Sequence, residues 1–72
     1  MKFWRGSKVV ACEVCDAPIQ ESFVDGRLRS SGRWCKMCLA CHRYFGIGLG
    51  IGNGQKYNYD KKMSLWIQEE EK

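Results

Sequence analysis

The sequence predicts a small α+β domain that is stabilised by a bound metal ion, and three observations support this prediction. The chain has only 72 residues, a length at which a hydrophobic core alone seldom gives a comfortable margin of stability. Its five cysteines include two Cys-x2-Cys pairs separated by about 20 residues, a spacing typical of zinc sites. The remaining segments combine hairpin patterns with one short helical stretch.

A metal is favoured over disulfides even before the cysteine spacing is considered. The N-terminus has no apolar run of signal-peptide length, and no segment approaches the ~20 apolar residues of a membrane span. We therefore expect a cytoplasmic chain with reduced thiols and no membrane partner. The odd cysteine count would also leave one thiol over in any disulfide scheme. We expect one zinc-binding domain over residues 1–72, with residues 1–8 as a flexible arm or a first strand and residues 69–72 as an acidic tail.

The first predicted elements are a turn and a hairpin. The segment Asp16-Ala17-Pro18 carries the only proline and predicts a turn after the first cysteine pair. Residues 19–24 predict one strand, Asp25-Gly26 is a hairpin turn signal, and residues 27–29 alternate as a return strand. A second break follows at residues 30–32.

A short helix is predicted next. Residues 38–45 contain no helix breaker and are followed by Gly46, which predicts about two helical turns capped by that glycine. So short a helix is marginal in water, and a metal ligand in its first turn would anchor it.

The glycine-rich segment that follows alternates glycine with Ile47, Leu49, Ile51 and Asn53. In an extended chain this pattern places the aliphatic side chains on one face, where we expect them to pack on the core. The glycines would let another backbone or an aromatic ring approach closely, and the functional alternative is close approach by a partner's backbone or a phosphate. Residues 55–59 and 63–68 then predict two strands joined by a turn at residues 60–62, although residues 65–67 could equally start a short helix.

The cysteine pattern indicates one closed, structural zinc site. Zinc prefers four tetrahedral ligands, and four thiolates leave no open position for a reactive water. Cys12 and Cys15 belong to both ligand schemes that we consider, and the second pair is either Cys38/Cys41 or Cys35/Cys38. In the first scheme the thiolates lie at a helix N-terminus, whose partial positive charge favours them. Knuckle, hairpin and ligand-bearing helix would then form a treble-clef-like zinc finger. The residues lean toward this scheme without excluding the other.

Other chemistries of the same residues are disfavoured. Cys38-x2-Cys41-His42 matches the c-type haem attachment motif, but that chemistry requires export. Cys35-x2-Cys38-x2-Cys41 matches part of an iron–sulfur run that lacks its later Cys-Pro. His42 has no visible partner for catalysis, so we expect an ordinary helix residue. A spare Cys35 would be a small buried apolar residue.

Residues 34–57 resemble a family of small zinc-finger proteins of phages. The likeness rests on Trp34-x2-Met37-Cys38-x2-Cys41-His42-x2-Phe45, the glycine-rich segment and Gln55-Lys56-Tyr57; with Cys12-x2-Cys15 it covers residues 12–57. The resemblance implies Cys12, Cys15, Cys38 and Cys41 as ligands of one structural Zn²⁺, with Cys35 spare. The knuckle and helix also look like a GATA-type finger, but the longer spacing and the unmatched base-reading tail carry over no DNA specificity.

Charge is segregated along the chain. Residues 9–26 contain four acids and no base, and residues 27–43 contain five bases and no acid. Such segregation can create one electropositive face. The candidate binding residues are Arg27, Arg29, Arg33, Lys36, Arg43 and Lys56. Trp34, Tyr44 and Phe45 are expected in the core around the zinc.

These features together predict a non-catalytic binding module. The chain shows no acid–base pair and no open metal position, so we expect neither an enzyme nor a small-molecule substrate. The resemblance implies a phage-type regulatory protein in a host cytoplasm, with a partner in the transcription or replication machinery. The acids before Arg27 and at the C-terminus favour a protein partner. The alternative is DNA or RNA binding through the basic residues 27–43.

Overall fold

The structure is a computed structural model that describes residues 2–69, and it contains one helix and one four-stranded antiparallel sheet. The elements are β1 (Ser22–Arg27), β2 (Trp34–Met37), α1 (Leu39–Phe45), β3 (Gly54–Asp60) and β4 (Leu65–Gln68). The strand order is β2-β1-β3-β4, so β1 and β3 are central. The predicted α+β class and the C-terminal hairpin are confirmed.

The predicted hairpin turn at Asp25-Gly26 is wrong. Asp25 pairs with Lys36 of β2 and with Gln55 of β3, so the dipeptide lies inside a central strand. Gly26 is needed there for space rather than for a turn, since a Cβ would come within 3.3 Å of the Asn53 carbonyl oxygen.

The connection between β1 and β2 lies instead in residues 28–33. The Leu28 N–H donates to the Arg33 carbonyl at 2.8 Å, and the Gly32 N–H donates to the Leu28 carbonyl at 2.8 Å. Gly32 has a φ of 73°, which favours glycine. The second break in the sequence is therefore the turn of this hairpin.

Helix α1 begins and ends close to the predicted positions, but its glycine acts differently. Cys38 is the N-cap residue, and the Gly46 N–H donates to the His42 carbonyl at 2.9 Å. The φ of Gly46 is −86°, so no left-handed cap is formed. A side chain is excluded because a Cβ on Gly46 would collide with the His42 ring and lie 2.8 Å from its carbonyl oxygen.

The core is aromatic and lies on the sheet rather than around the helix. Phe23 stacks on Tyr57 with ring centroids 5.1 Å apart, and Trp66 and Trp4 meet Phe23 edge-on at 5.0 and 5.4 Å. Such edge-on and stacked pairs contribute beyond their buried area.

The expectation that Trp34, Tyr44 and Phe45 form the core around the zinc is wrong. These side chains are 47%, 69% and 51% exposed. Trp34 opens the edge strand β2, and the other two lie in the last turn of α1, which buries only Cys41. The helix therefore contributes one cysteine to the core rather than an apolar stripe, and the Arg29 N–H also bonds its last carbonyl, that of Phe45, at 2.7 Å.

The N-terminal residues run along the outer edge of β4. The Trp4 N–H donates to the Trp66 carbonyl, and the Gln68 N–H donates to the Lys2 carbonyl, both at 2.8 Å. Phe3 forms an isolated antiparallel bridge with Ile67. This pairing covers the edge of the sheet. Met1 and most of the predicted acidic tail, residues 70–72, lie outside the described residues.

The glycine-rich segment is a loop, and the expectation that its aliphatic residues pack on the core is wrong. Gly48, Gly50 and Gly52 have φ values of 118°, 114° and 84°. Left-handed positions break the strict alternation of an extended strand, and Ile51 ends fully exposed. We call residues 46–53 the glycine-rich loop.

The predicted close approach of backbones does occur, at Gly54. A Cβ on this residue would lie 3.0 Å from the Gly48 carbonyl oxygen and 3.2 Å from the Gly26 Cα. Two glycines on neighbouring central strands thus let the glycine-rich loop rest on the sheet.

No helix in the described part of the chain is long and apolar enough to cross a membrane.

Candidate metal centre

The first cysteine pair lies on a tight knuckle. The Cys12 N–H donates to the Ala17 carbonyl at 2.8 Å, and the Asp16 N–H donates to the Cys12 carbonyl at 2.9 Å. Asp16 adopts a left-handed φ of 64°, a conformation that Asp tolerates better than most residues. The Val14 N–H points at the Cys12 Sγ, 3.4 Å away. The knuckle therefore buries Cys12 and leaves Cys15 exposed, while its backbone is partly satisfied by local hydrogen bonds.

The second pair lies at the start of α1 and repeats this arrangement. The Cys38 Sγ accepts the Cys41 N–H at 3.4 Å and caps the helix. Cys41 follows in the first turn and is 6% exposed. Backbone N–H groups directed at sulfur favour the thiolate form that metals bind.

The structure brings four sulfurs together, those of Cys12, Cys15, Cys38 and Cys41. All four Sγ atoms lie within 4.8 Å of one another. The Cys15 and Cys38 Sγ atoms are 3.8 Å apart. Around a tetrahedral zinc with bonds of about 2.3 Å, sulfurs are also separated by about 3.8 Å. The prediction that four cysteines can hold one metal ion is confirmed at this level, and the donor set fits zinc.

The knuckle is tied to the rest of the domain through β2. The Glu13 N–H donates to the Lys36 carbonyl at 2.9 Å, and the Glu13 carboxylate accepts the Lys36 N–H. The two cysteine pairs are distant in sequence, so this link fixes the position of one relative to the other.

Cys35 lies outside the group of four. It is half-buried on β2 and packs against the core. Burial, with the nearby Glu13 carboxylate, raises the pKa of its thiol. A reactive thiolate needs the opposite shift, so Cys35 fits the role of a small apolar residue. The iron–sulfur motif proposed for Cys35, Cys38 and Cys41 therefore has only two of its three cysteines in the group of four.

The thiols of Cys12 and Cys41 differ in acidity. Burial raises the pKa of Cys12, but the backbone N–H groups of Cys15, Cys38 and Val14 outweigh it and lower the pKa from 9.0 to about 6. Burial raises the pKa of Cys41, and hydrogen bonds from neighbouring thiols and the charge of Cys12 raise it further. The cluster thus resists full ionisation by itself, and a divalent cation would offset the repulsion.

The His42 side chain contacts the glycine-rich loop. Its Nε2 lies 2.8 Å from the Gly48 carbonyl oxygen. This contact ties α1 to the loop, in agreement with the expectation of an ordinary hydrogen-bonded helix residue.

Two of the candidate basic residues brace the glycine-rich loop. The Arg27 guanidinium donates to the Gly52 carbonyl at 3.4 Å and to the Gly32 carbonyl at 3.3 Å. The Arg29 guanidinium donates to the Gly46 carbonyl at 3.0 Å. Their hydrogen-bonding capacity is thus partly occupied within the chain.

The other four basic candidates are spread over the domain. The Lys36 ammonium donates to the Ser7 hydroxyl at 2.7 Å, and Lys56 pairs with Glu69 at 3.4 Å. Lys56 lies opposite Val24, whereas Lys36 lies opposite Asp25, so the two lysines point to opposite faces of the sheet. Arg33 and Arg43 are exposed. The six residues therefore do not share one face.

A groove of about 490 Å³ lies between the N-terminal segment and β4. Trp4, Tyr59 and Trp66 form its aromatic walls, and Lys8 lies at its rim. No carboxylate, histidine or cysteine lines it among residues 2–69.

Comparison with protein-family models, with curated proteins and with solved structures finds no match to this chain.

Sequence patterning did not predict one surface feature, the exposed aliphatic residues of the glycine-rich loop. Ile47, Leu49 and Ile51 are 39%, 44% and 100% exposed. The signal that could have revealed them is the glycine at every second position. Glycine accepts left-handed φ values, and these bend the chain out of an extended strand and into a loop.

Proposed function

We propose that the chain is a zinc-finger binding module without catalytic activity, with a treble-clef-like order of knuckle, hairpin and helix. The observation that supports this best is the group of four cysteine sulfurs within 4.8 Å of one another. Four thiolates fill the coordination of one zinc and leave no position for a substrate or water.

We further propose that the module acts as a small phage-type regulator in a host cytoplasm and binds a protein of the transcription or replication machinery. Several large apolar side chains are exposed at one end of the domain, among them Tyr44, Phe45 and Ile51. Exposed apolar side chains close together in a small soluble domain are typical of protein interfaces.

Direct DNA or RNA binding is the second candidate. It is supported by the absence of acids between residues 26 and 55, a segment that contains five bases. Two of these bases donate to loop carbonyls and Lys36 donates to the Ser7 hydroxyl, which leaves Arg33 and Arg43 as the freest contacts. Phosphate contacts release counterions, so such binding would weaken steeply with salt.

Two measurements test the proposal. Native mass spectrometry of the purified chain should show one Zn²⁺, and a folded protein that binds no metal would refute the zinc finger. Affinity capture from host lysate should then retain a protein after nuclease treatment. Capture that disappears with nuclease would favour the nucleic-acid alternative. A Cys35→Ser bait, which keeps the group of four, serves as the matched control for a Cys38→Ser bait.

A further inference from the structure

The glycine-rich loop presents aliphatic side chains to solvent. Ile51 at its tip is fully exposed, and Ile47 and Leu49 are about two-fifths exposed. Phe45, directly before the loop, is 51% exposed. Exposing this many large apolar side chains to water within seven residues costs free energy in an isolated domain. A partner that buried them would remove that cost.

The same loop is held in shape from the inside. Its carbonyl oxygens at Gly46, Gly48 and Gly52 accept from Arg29, His42 and Arg27, respectively. Gly50 and Gly54 exchange two backbone hydrogen bonds of 2.8 and 3.0 Å. A segment with this many glycines would otherwise lose much conformational entropy on binding, so this bracing lowers the cost of recognition.

The loop lies at the basic end of the sheet. Gly26 pairs with Gly54 at the loop end, while Ser22 pairs with Asn58 at the other end. Arg27 and Arg29 follow at the loop end, and no acid occurs between residues 26 and 55. At the opposite end Asp60 closes β3 and is followed by Lys61 and Lys62, so charges of both signs occur together there. A partner of the loop therefore meets positive charge beside apolar side chains.

We propose that the glycine-rich loop is the contact surface for an acidic protein, which receives Ile51 in an apolar cleft bordered by Asp or Glu side chains. This inference rests on the proposed protein-binding function and specifies its surface and the chemistry of its partner. Opposite charge steers the encounter, and the buried aliphatic anchor supplies most of the affinity.

The backbone of the loop favours a protein over a lipid surface or nucleic acid. At Gly48 and Gly52 nothing lies within 4 Å of where a Cβ would stand, so peptide groups are open to close approach. In hydrocarbon the peptide groups of the loop that are not bonded within the chain would lose hydrogen bonds to water without replacement, whereas a protein backbone can pair with them. Aliphatic side chains also offer no ring on which a base can stack.

The test is a selection from a random peptide library, with the zinc-loaded full chain as bait. Wild type and Met63→Asp should both select peptides that combine large apolar residues with Asp or Glu. Met63 is a matched control because it is exposed and apolar and lies in the β3–β4 connection, away from the loop. Ile51→Asp should weaken binding of a selected peptide by about tenfold or more, through lost burial and added repulsion. Raised salt should weaken wild-type binding.

Several results would overturn the inference. They are selected peptides without acidic enrichment, equal binding by Ile51→Asp, and a failure to select any peptide. If peptides bind equally well to Ile51→Asp, the chain still binds proteins through another surface, and the proposed function stands. Vesicles of phosphatidylcholine and phosphatidylglycerol in equal parts and a DNA duplex are tested in parallel. Binding to either that depends on Ile51 assigns the loop to that ligand instead.

Discussion

Cys38 combines two roles that a substitution can separate. Its sulfur belongs to the group of four, and it also caps α1 by accepting the Cys41 N–H. Serine is among the best N-cap residues, so Cys38→Ser preserves the cap while removing a thiolate. The substitution therefore isolates the metal role of this position.

We expect Cys38→Ser to unfold the chain and Cys35→Ser to change the free energy of unfolding by about 1 kcal/mol or less. Structural zinc supplies roughly 10–16 kcal/mol in small metal-binding domains, far more than one cap or one half-buried thiol. Circular dichroism with and without added Zn²⁺ measures the difference. Equal damage from both substitutions would mean that Cys35 belongs to the metal site.

The acidity of the thiols predicts how metal binding depends on pH. The pKa of Cys41 is raised, so this thiol is protonated at neutral pH without metal and must release its proton when a metal binds. Apparent zinc affinity should therefore fall by at least about tenfold for each unit by which pH is lowered through the neutral range. The pKa of Cys12, lowered to about 6, makes this fall steeper only below that pH.

Competition with a chromophoric chelator at several pH values measures this slope. An affinity independent of pH between neutrality and mild acid would contradict the arrangement of the four thiols.

The sequence predicted the candidate metal centre better than it predicted which surface side chains are free to bind a partner. Two Cys-x2-Cys pairs specify the chemistry almost alone, because few other structures need sulfurs at that interval. The choice between Cys35 and Cys41 required a three-dimensional fact, the position of β2, which turns Cys35 toward the core. Free and internally bonded arginines look alike in sequence, so Arg27 and Arg29 could not be distinguished from Arg33 and Arg43.

At the scale of elements, glycine was the least predictable residue. Asp25-Gly26 has the composition of a turn, but it lies in a strand with neighbours on both sides. The side-chain-free surface at Gly26 and Gly54 instead admits the glycine-rich loop. Tertiary packing thus overrode a local turn preference, as it often does in sheets.

Gly54→Ala tests this packing. Alanine normally stabilises an extended position by limiting the unfolded chain, but here a Cβ would lie 3.0 Å from the Gly48 carbonyl oxygen. We expect a loss of about 1–3 kcal/mol in the free energy of unfolding, typical of overpacking. Urea denaturation of the zinc-loaded protein measures it.

The neighbouring Gln55→Ala is the matched control, because Gln55 is half-buried and points to the other face of the same strand. Gly54→Ala as stable as wild type would show that the loop does not rest on the sheet.

At the scale of the whole molecule, the group of four cysteines is continuous with the core. Seven apolar residues are buried among those described, and two of them are Cys12 and Cys41 of the group of four. A core of this size seldom stabilises a domain of this length unless disulfides or a bound metal add to it. The aromatic cluster of Phe23, Tyr57 and Trp66 packs on the same residues.

Removal of the metal should therefore unfold the helix and the aromatic cluster together. On chelation the far-ultraviolet and near-ultraviolet circular dichroism signals should disappear at the same chelator concentration, and added Zn²⁺ should restore both. Near-ultraviolet signals from the tryptophans that survive chelation would mean that the sheet folds independently of the metal centre.

The single buried position of α1 has a consequence for sequence variation. With Cys41 inside, Cys38 at the cap and His42 on the loop, the helix leaves Leu39, Ala40, Arg43, Tyr44 and Phe45 exposed. Any residues with adequate helix propensity satisfy the fold at these positions. The exposed positions of the helix can therefore vary in sequence without a change in the core of the domain.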